Sequence, residues 1–159
     1  SYSASTVSVL LGTGAGAFAA SVSYPASSPS SVALGDVNGD GVLDLVTAST
    51  LATSVSVHLG SGTGAFGPPT SRGTTDTASV VAVADLNADG RPDVVTGNLG
   101  ASVSVLLAVG AGAFAAPVVY AGGGPWAVAV LDLGGDGNLD VVTLNSPGGQ
   151  VTLWTCLGG

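Results

Sequence analysis

Three short segments of this chain carry oxygen-bearing side chains at one shared spacing. Together they hold nine of the ten acidic residues; only Asp76 lies elsewhere, and the chain has no Glu. Each segment has Asp at positions 1, 5 and 9 and Gly at position 6, which permits the sharp turn that gathers these oxygens. Calcium takes ~6–8 oxygen ligands, so the spacing predicts a calcium site in each segment.

The predicted ligands are side-chain oxygens and the backbone carbonyl at position 7. The first segment supplies Asp36, Asn38, Asp40, the carbonyl of Val42, and Asp44. The second supplies Asp85, Asn87, Asp89, the carbonyl of Arg91, and Asp93. The third supplies Asp132, Asp136, the carbonyl of Asn138, and Asp140. Gly134 leaves position 3 of the third segment without a side chain, so we expect up to three calcium ions per chain, with the third bound most weakly.

Two other interpretations of the acidic segments are weaker. An EF-hand needs flanking helices and a Glu at position 12, whereas position 12 here is Thr47, Thr96 or Thr143 and the flanks look like strands. Asp, Asn and Gly also favour ordinary turns. Three copies in register are hard to explain as turns alone, because carboxylates crowded without a cation repel one another.

The acidic segments belong to a longer internal repeat with a period of 48 residues. Val7-Ser-Val recurs at Val55 and Val103 and, more loosely, as Val151-Thr-Leu, and Phe18, Phe66 and Phe114 end equivalent Gly-x-Gly-Ala-Phe segments. A period in this range is typical of solenoids and propellers. Short runs rich in β-branched residues and bounded by Gly, Pro or Asn predict strands, and no helical apolar stripe is present.

Each repeat predicts four strands, with the acidic loop between the first two. In the first complete unit these are expected at about 31–35, 43–48, 54–60 and 65–72. Four strands in ~40–50 residues correspond to one blade of a β-propeller. We therefore predict an all-β propeller module over residues 1–159, with full blades at about 31–72 and 79–120 and partial blades at 5–24 and 126–157.

About three blades are too few for a closed ring, because propellers close with ~4–8. Exposed strand edges would favour association. We expect either a homo-oligomer, most simply a dimer with six blades, or a piece of a larger propeller.

The acidic loops, the Gly-Ala-Phe segments and the 48-residue period together resemble the FG-GAP/VCBS repeat family, which includes the propeller of integrin α subunits. The resemblance covers nearly the whole chain. It implies calcium in the loop between the first two strands of a blade and a role in adhesion or ligand binding, with protein or glycan ligands. It does not imply catalysis, although a non-catalytic part of a secreted enzyme is a further possibility.

The composition of the chain limits its possible partners and the compartment in which it acts. Hydrophobic residues make up 46% of the chain and charged residues 8%, which is too apolar for a disordered chain. With two basic residues and a net charge of −8, we expect no nucleic-acid partner, and no apolar run is long enough for membrane insertion. Weak calcium sites fill only where calcium is abundant, so a secreted protein is expected. The one cysteine, Cys156, is expected to be a buried structural thiol.

Candidates for catalysis or sugar binding are few. His58, the only histidine, is expected to be a surface or half-buried strand residue, and no Gly-x-Ser-x-Gly nucleophile motif is present. We therefore expect no enzymatic activity. The alternative is a lectin with sugar sites between blades, in which Trp126 could stack on the sugar; the counterparts of Trp126 in the other repeats are Ser30 and Ser79.

Overall fold

The computed structural model describes residues 5–146 and 149–155, with Ser146 described by its backbone alone. All regular structure in these residues is β, and they contain no helix that is long and apolar enough to cross a membrane. The strands are β1 (Thr6–Val9), β2 (Gly12–Gly14), β3 (Ala17–Phe18), β4 (Val22–Pro25), β5 (Pro29–Gly35), β6 (Asp44–Ser49), β7 (Ser54–His58), β8 (Thr70–Gly73), β9 (Ala78–Ala84), β10 (Asp93–Asn98), β11 (Ser102–Leu106), β12 (Ala108–Gly110), β13 (Ala113–Phe114), β14 (Val118–Ala121), β15 (Gly124–Leu131), β16 (Asp140–Ser146) and β17 (Gln150–Trp154).

Thirteen of the strands form four antiparallel sheets that follow one another along the chain. The first sheet pairs β1 with β4, and the second has the order β5-β6-β7-β8. The third has the order β9-β10-β11-β14, and the fourth has the order β15-β16-β17. Four-stranded antiparallel sheets that recur along the chain confirm the predicted all-β propeller architecture of this module.

The Gly-x-Gly-Ala-Phe segments lie between the third and fourth strands of each repeat and fold back on themselves. β2 pairs with β3 and β12 pairs with β13, and in the second sheet Gly60 bridges to Phe66. The fourth strand of the second sheet therefore begins at Thr70, later than the expected residue 65, because the glycines turn this segment before the strand starts.

Two clusters of aliphatic side chains hold neighbouring sheets face to face. The cluster between the second and third sheets consists of Val37, Val46, Ala48, Val55, Val57, Ala78, Val81, Val94 and Leu106. The cluster between the third and fourth sheets is built on Val95, Val103 and Val141. Valine suits this role because its branched side chain packs well on a pleated surface, and burying one contributes about 1.5–3 kcal/mol.

The inner strands β5, β9 and β15 approach closely. The hydroxyl of Ser30 donates to the carbonyl oxygen of Ser79 at 2.8 Å, and the hydroxyl of Ser79 lies 3.1 Å from the carbonyl oxygen of Pro125. A Cβ on Gly97 would lie 2.7 Å from the Cβ of Pro125, so the third and fourth sheets could not approach this closely with a larger residue there. This stacking places the three acidic loops at the same point of successive sheets.

Candidate metal sites

Each acidic loop joins the first strand of a sheet to the second: β5 to β6, β9 to β10, and β15 to β16. In the first loop, Oδ1 of Asp36 accepts the backbone N–H groups of Gly39 (2.8 Å) and Asp40 (3.0 Å), and Oδ2 accepts that of Gly41 (2.7 Å). Asp132 accepts the three equivalent N–H groups of its own loop, and Asp85 accepts two of them, from Asp89 and Gly90. The first aspartate thus organises the turn in all three repeats.

Positions 3 and 5 make a second recurring contact. The amide Nδ2 of Asn38 donates to Oδ2 of Asp40 at 2.8 Å, and Asn87 donates to Asp89 at 3.1 Å. The other oxygen of the position-5 carboxylate accepts the N–H of position 7, at 2.8 Å in the first loop. The third loop lacks the amide contact because position 3 is Gly134.

The backbone at position 4 is left-handed in every loop. Gly39 and Gly135 adopt φ values of 80° and 70°, and Ala88 adopts 56° in the second loop. Ala in this region costs roughly 1 kcal/mol, so the second loop is held in a mildly strained turn.

The ninth aspartate is buried and connects separate parts of the repeat. Asp44 is 0% exposed; its Oδ2 accepts the N–H of Val37 at 3.1 Å and its Oδ1 accepts that of Gly60 at 2.8 Å. Asp93 is also 0% exposed and accepts the N–H groups of Leu86 (3.0 Å) and Ala108 (2.7 Å). In the third loop Asp140 is buried too, and it accepts the N–H of Leu133 at 2.9 Å.

These environments shift the pKa of Asp36 in one direction and the pKa values of Asp44 and Asp93 in the other. Burial raises the pKa of Asp44, opposed by the N–H groups of Gly60 and Val37 and reinforced by the charges of Asp40 and Asp36. Burial raises the pKa of Asp93 in the same way. For Asp36, burial also acts to raise the pKa, but the N–H groups of Gly41, Gly39 and Asp40 outweigh it, so the pKa is lowered.

The second loop contains a basic partner that the sequence interpretation missed. Nη2 of Arg91 lies 2.9 Å from Oδ2 of Asp89 in an exposed ion pair. Desolvation acts to raise the pKa of Asp89, but the backbone N–H of Arg91, the Asn87 amide and the Arg91 charge together lower it. The sequence predicted a role only for the backbone carbonyl of Arg91, not for its side chain. An arginine two residues after a loop aspartate is the pattern that could have predicted the contact.

The oxygen donors suit calcium in kind, but the carboxylates among them are not grouped as a metal site. Among the described residues, no three Asp, Glu, His or Cys side chains are grouped closely enough to hold a metal ion. The reason is visible in each loop: the ninth carboxylate is turned inward to backbone N–H groups, while the first and fifth remain at the surface. The assignment of calcium ligands therefore stays a prediction.

Other residues singled out from the sequence have varied surroundings. The interpretation of His58 as a surface or half-buried residue is wrong: it is 0% exposed, its Nδ1 donates to the carbonyl of Gly67 at 3.0 Å, and Tyr24 packs edge-on at 6.2 Å. Trp126 is 74% exposed. Cys156 lies outside the described residues.

An apolar groove of about 470 Å³ lies between the third and fourth sheets. It is lined by Val103, Val105, Tyr120, Leu153 and Trp154, among others. The rings of Tyr120 and Trp154 meet at 6.0 Å between centroids, and Nε1 of Trp154 is buried without a hydrogen-bond partner among the described residues. The sequence interpretation did not identify this groove, because it depends on how two sheets pack.

The sheets and their recurring loops define a β-propeller repeat protein. The model of the FG-GAP-like repeat matches residues 1–47, 36–96 and 85–143. The chain therefore belongs to the FG-GAP-like repeat family, which confirms the resemblance seen in its acidic loops. A comparison with curated protein sequences gave no match.

Two solved structures are similar to this one. A lectin of Agrocybe aegerita, solved to show its specific recognition of non-reducing terminal N-acetylglucosamine, shares 28% identity and a TM-score of 0.51, covering 69% of this chain and 31% of that chain. A mutant Tc holotoxin pore of Photorhabdus luminescens shares 23% identity and a TM-score of 0.56, covering 94% of this chain and 8% of that chain, and shows the fold alone. This chain thus spans less than a third of either structure's chain.

Proposed function

We propose that this chain is a non-enzymatic, extracellular ligand-binding propeller module whose acidic loops bind calcium in a structural role. The observation that carries the proposal is the same loop conformation at three successive turns between strands, each with the first aspartate on equivalent N–H groups. Calcium would neutralise the clustered carboxylates. The oxygens able to hold it are those of positions 1, 3, 5 and 9 with the carbonyl of position 7.

The hydrogen bonds already present set the expected strength of binding. Each first and ninth carboxylate accepts backbone N–H groups, so an ion would have to share these oxygens with the backbone. Binding must also draw the ninth carboxylate toward the others, because the three do not converge. Both points favour weak sites, with Kd roughly 10⁻⁴–10⁻³ M as in extracellular calcium modules.

Thermal unfolding with calcium, with magnesium and with a chelator tests this role. At a calcium concentration ten times Kd, each site is expected to add about 1.4 kcal/mol of stability, and magnesium should add much less. Asp89→Ala should lower the measured number of bound calcium ions by one. An unchanged melting temperature in calcium, or an unchanged ion count in Asp89→Ala, would contradict the proposal.

A second candidate is carbohydrate binding, favoured by the similarity to the Agrocybe aegerita lectin and by the exposure of Trp126. An exposed indole can stack on the apolar face of a sugar ring. A glycan array would test it, with N-acetylglucosamine as the first sugar to titrate. Trp126→Ala should abolish binding, whereas Leu51→Ala, which alters another exposed side chain, should not. If no glycan on the array binds while calcium still raises the melting temperature, the lectin function is rejected and the structural role of calcium stands.

A further inference from the structure

Equivalent positions of the repeat differ in exposure between the inner and outer sheets. Val55 of the second sheet and Val103 of the third are 0% and 2% exposed, because each faces the next sheet. The same position in the fourth sheet is Val151, which is 67% exposed, and Leu144, its partner on β16 and on the same face, is 46% exposed. The outer face of the fourth sheet therefore presents the apolar surface that the second and third sheets bury.

The opposite face shows the complementary difference. Val81, on the first strand of the third sheet, is 5% exposed because it packs against the second sheet. Its counterpart in the second sheet, Val32, is 54% exposed, and Leu34 on the same face is 53% exposed. One end of the stack thus exposes the apolar set that receives a preceding sheet, and the other end exposes the set that contacts a following one.

The Phe-containing hairpins show the same relation. Phe66 packs edge-on against Tyr24, the last-strand aromatic of the preceding sheet, at 5.5 Å between ring centroids. Phe18 occupies the equivalent position in the β2–β3 hairpin and is 67% exposed. Tyr120 is the counterpart of Tyr24 and lies beside the apolar groove. The groove therefore offers Phe18 the kind of surface that Tyr24 offers Phe66.

We propose that two copies of this chain close into one ring, in which the outer face of each fourth sheet docks on the Val32 and Leu34 face of the other copy. Each Phe18 hairpin then enters the other copy's groove beside Tyr120. The junction reuses the interface already formed twice within the chain, which makes a second copy the best-matched occupant. It is an interface inferred from the fold, independent of calcium or sugar binding.

Two copies supply enough blades for one ring. Each copy contributes the second sheet, the third sheet and one blade shared between its fourth sheet and the other copy's first sheet. Two copies thus make six blades, within the ~4–8 at which propellers close. β1 and β17 occupy the same repeat position, so one of them must leave its sheet at each junction.

Light scattering across a dilution series measures the association directly. The chain has a mass of 15.0 kDa, so the ring has twice that mass, 30.0 kDa. Phe18→Ala should weaken the dimer at least about 30-fold, the size of a well-buried aromatic contact. A mass of 15.0 kDa at all concentrations, or an open series of larger assemblies, would overturn the proposal.

A mixing experiment separates the two faces. Leu34→Asp damages one face and Leu144→Asp, on β16 of the fourth sheet, damages the other, so each variant alone should be monomeric. Mixed together they retain one intact junction and should form a heterodimer, which variants that merely unfold could not do. Leu51→Asp, an equally apolar change at a 79% exposed turn, should leave the dimer unchanged.

Two results of these variants would overturn the proposal. One is a dimer that survives both Leu34→Asp and Leu144→Asp, because other faces would then hold it. The other is a monomer whose tryptophan fluorescence titrates with N-acetylglucosamine and loses that response in Tyr120→Ala, because the groove would then belong to a sugar.

Discussion

The first and ninth aspartates of each acidic loop differ in exposure and in what their oxygens accept. Asp36 stays partly exposed and accepts three N–H groups from its own turn. Asp44 is fully buried and joins the loop at Val37 to Gly60, which lies beyond the third strand of the sheet. The first aspartate of the motif thus stabilises the conformation of the turn, whereas the ninth connects the turn to the rest of the sheet.

This difference between the two aspartates distinguishes the stabilisation that calcium could add from the stabilisation that the protein's own hydrogen bonds provide. The connection made by the ninth aspartate recurs in the second loop, where Asp93 accepts the N–H groups of Leu86 and Ala108. Both contacts are made to backbone N–H groups of the protein, so most of the stabilisation by the ninth aspartate should persist in chelator. The carboxylates at positions 1 and 5 lie nearer the surface than the ninth, so the larger part of any calcium dependence should arise there.

The largest effect is expected from Asp44→Ala. The buried N–H of Val37 and the part-buried N–H of Gly60 lose their acceptor, and each unsatisfied buried group costs about 1–3 kcal/mol, so unfolding should be easier by about 2–4 kcal/mol. Urea denaturation in chelator measures this. Asp44→Asn keeps the shape and one acceptor oxygen and should cost less. If Asp36→Ala costs as much as Asp44→Ala in chelator, the distinction between the two positions fails.

Asp36→Ala should lower the free energy of unfolding by less than Asp44→Ala in chelator, and it should also weaken the response to calcium. In chelator it should cost about 1 kcal/mol, because the N–H groups it releases lie at the surface and can bond to water. In calcium it should also remove the stabilisation of the first site, about 1.4 kcal/mol at ten times Kd. Ser61→Ala removes a comparable exposed turn contact, from Ser61 to the carbonyl of Ala65, and should leave the calcium response intact. If Asp36→Ala and Ser61→Ala lose the same free energy of unfolding in calcium, Asp36 stabilises only the turn and does not bind the ion.

The repeat and its fold could be predicted because they depend on local patterns. Runs of β-branched residues, the Gly-rich turns and the 48-residue period all occur within single repeats, and the strands follow them. The burial of the ninth aspartate could not be predicted, since one of its partners lies sixteen positions away beyond two strands. His58 was misjudged for a similar reason: the side chain that covers it, Tyr24, belongs to the preceding sheet.

The smallest effect on stability is expected in the third loop, where a side chain can be added at position 3. Gly134 has room for a side chain, because a Cβ there would meet only Asp136, at 3.8 Å. Gly134→Asn would restore the amide that Asn38 and Asn87 direct at their position-5 carboxylates. Stability in chelator should change by no more than a few tenths of a kcal/mol, as is usual for an exposed substitution.

Calcium affinity of the third site should rise by about three- to tenfold in Gly134→Asn, equivalent to about 0.7–1.4 kcal/mol. A calcium titration in an Asp36→Ala, Asp85→Ala background isolates this site. Gly134→Ala supplies the matched control, because it adds the Cβ without the amide and should leave the affinity unchanged. Equal affinities in the Asn and Ala variants would mean that position 3 does not reach the ion, and that the third loop's weakness does not come from the missing side chain.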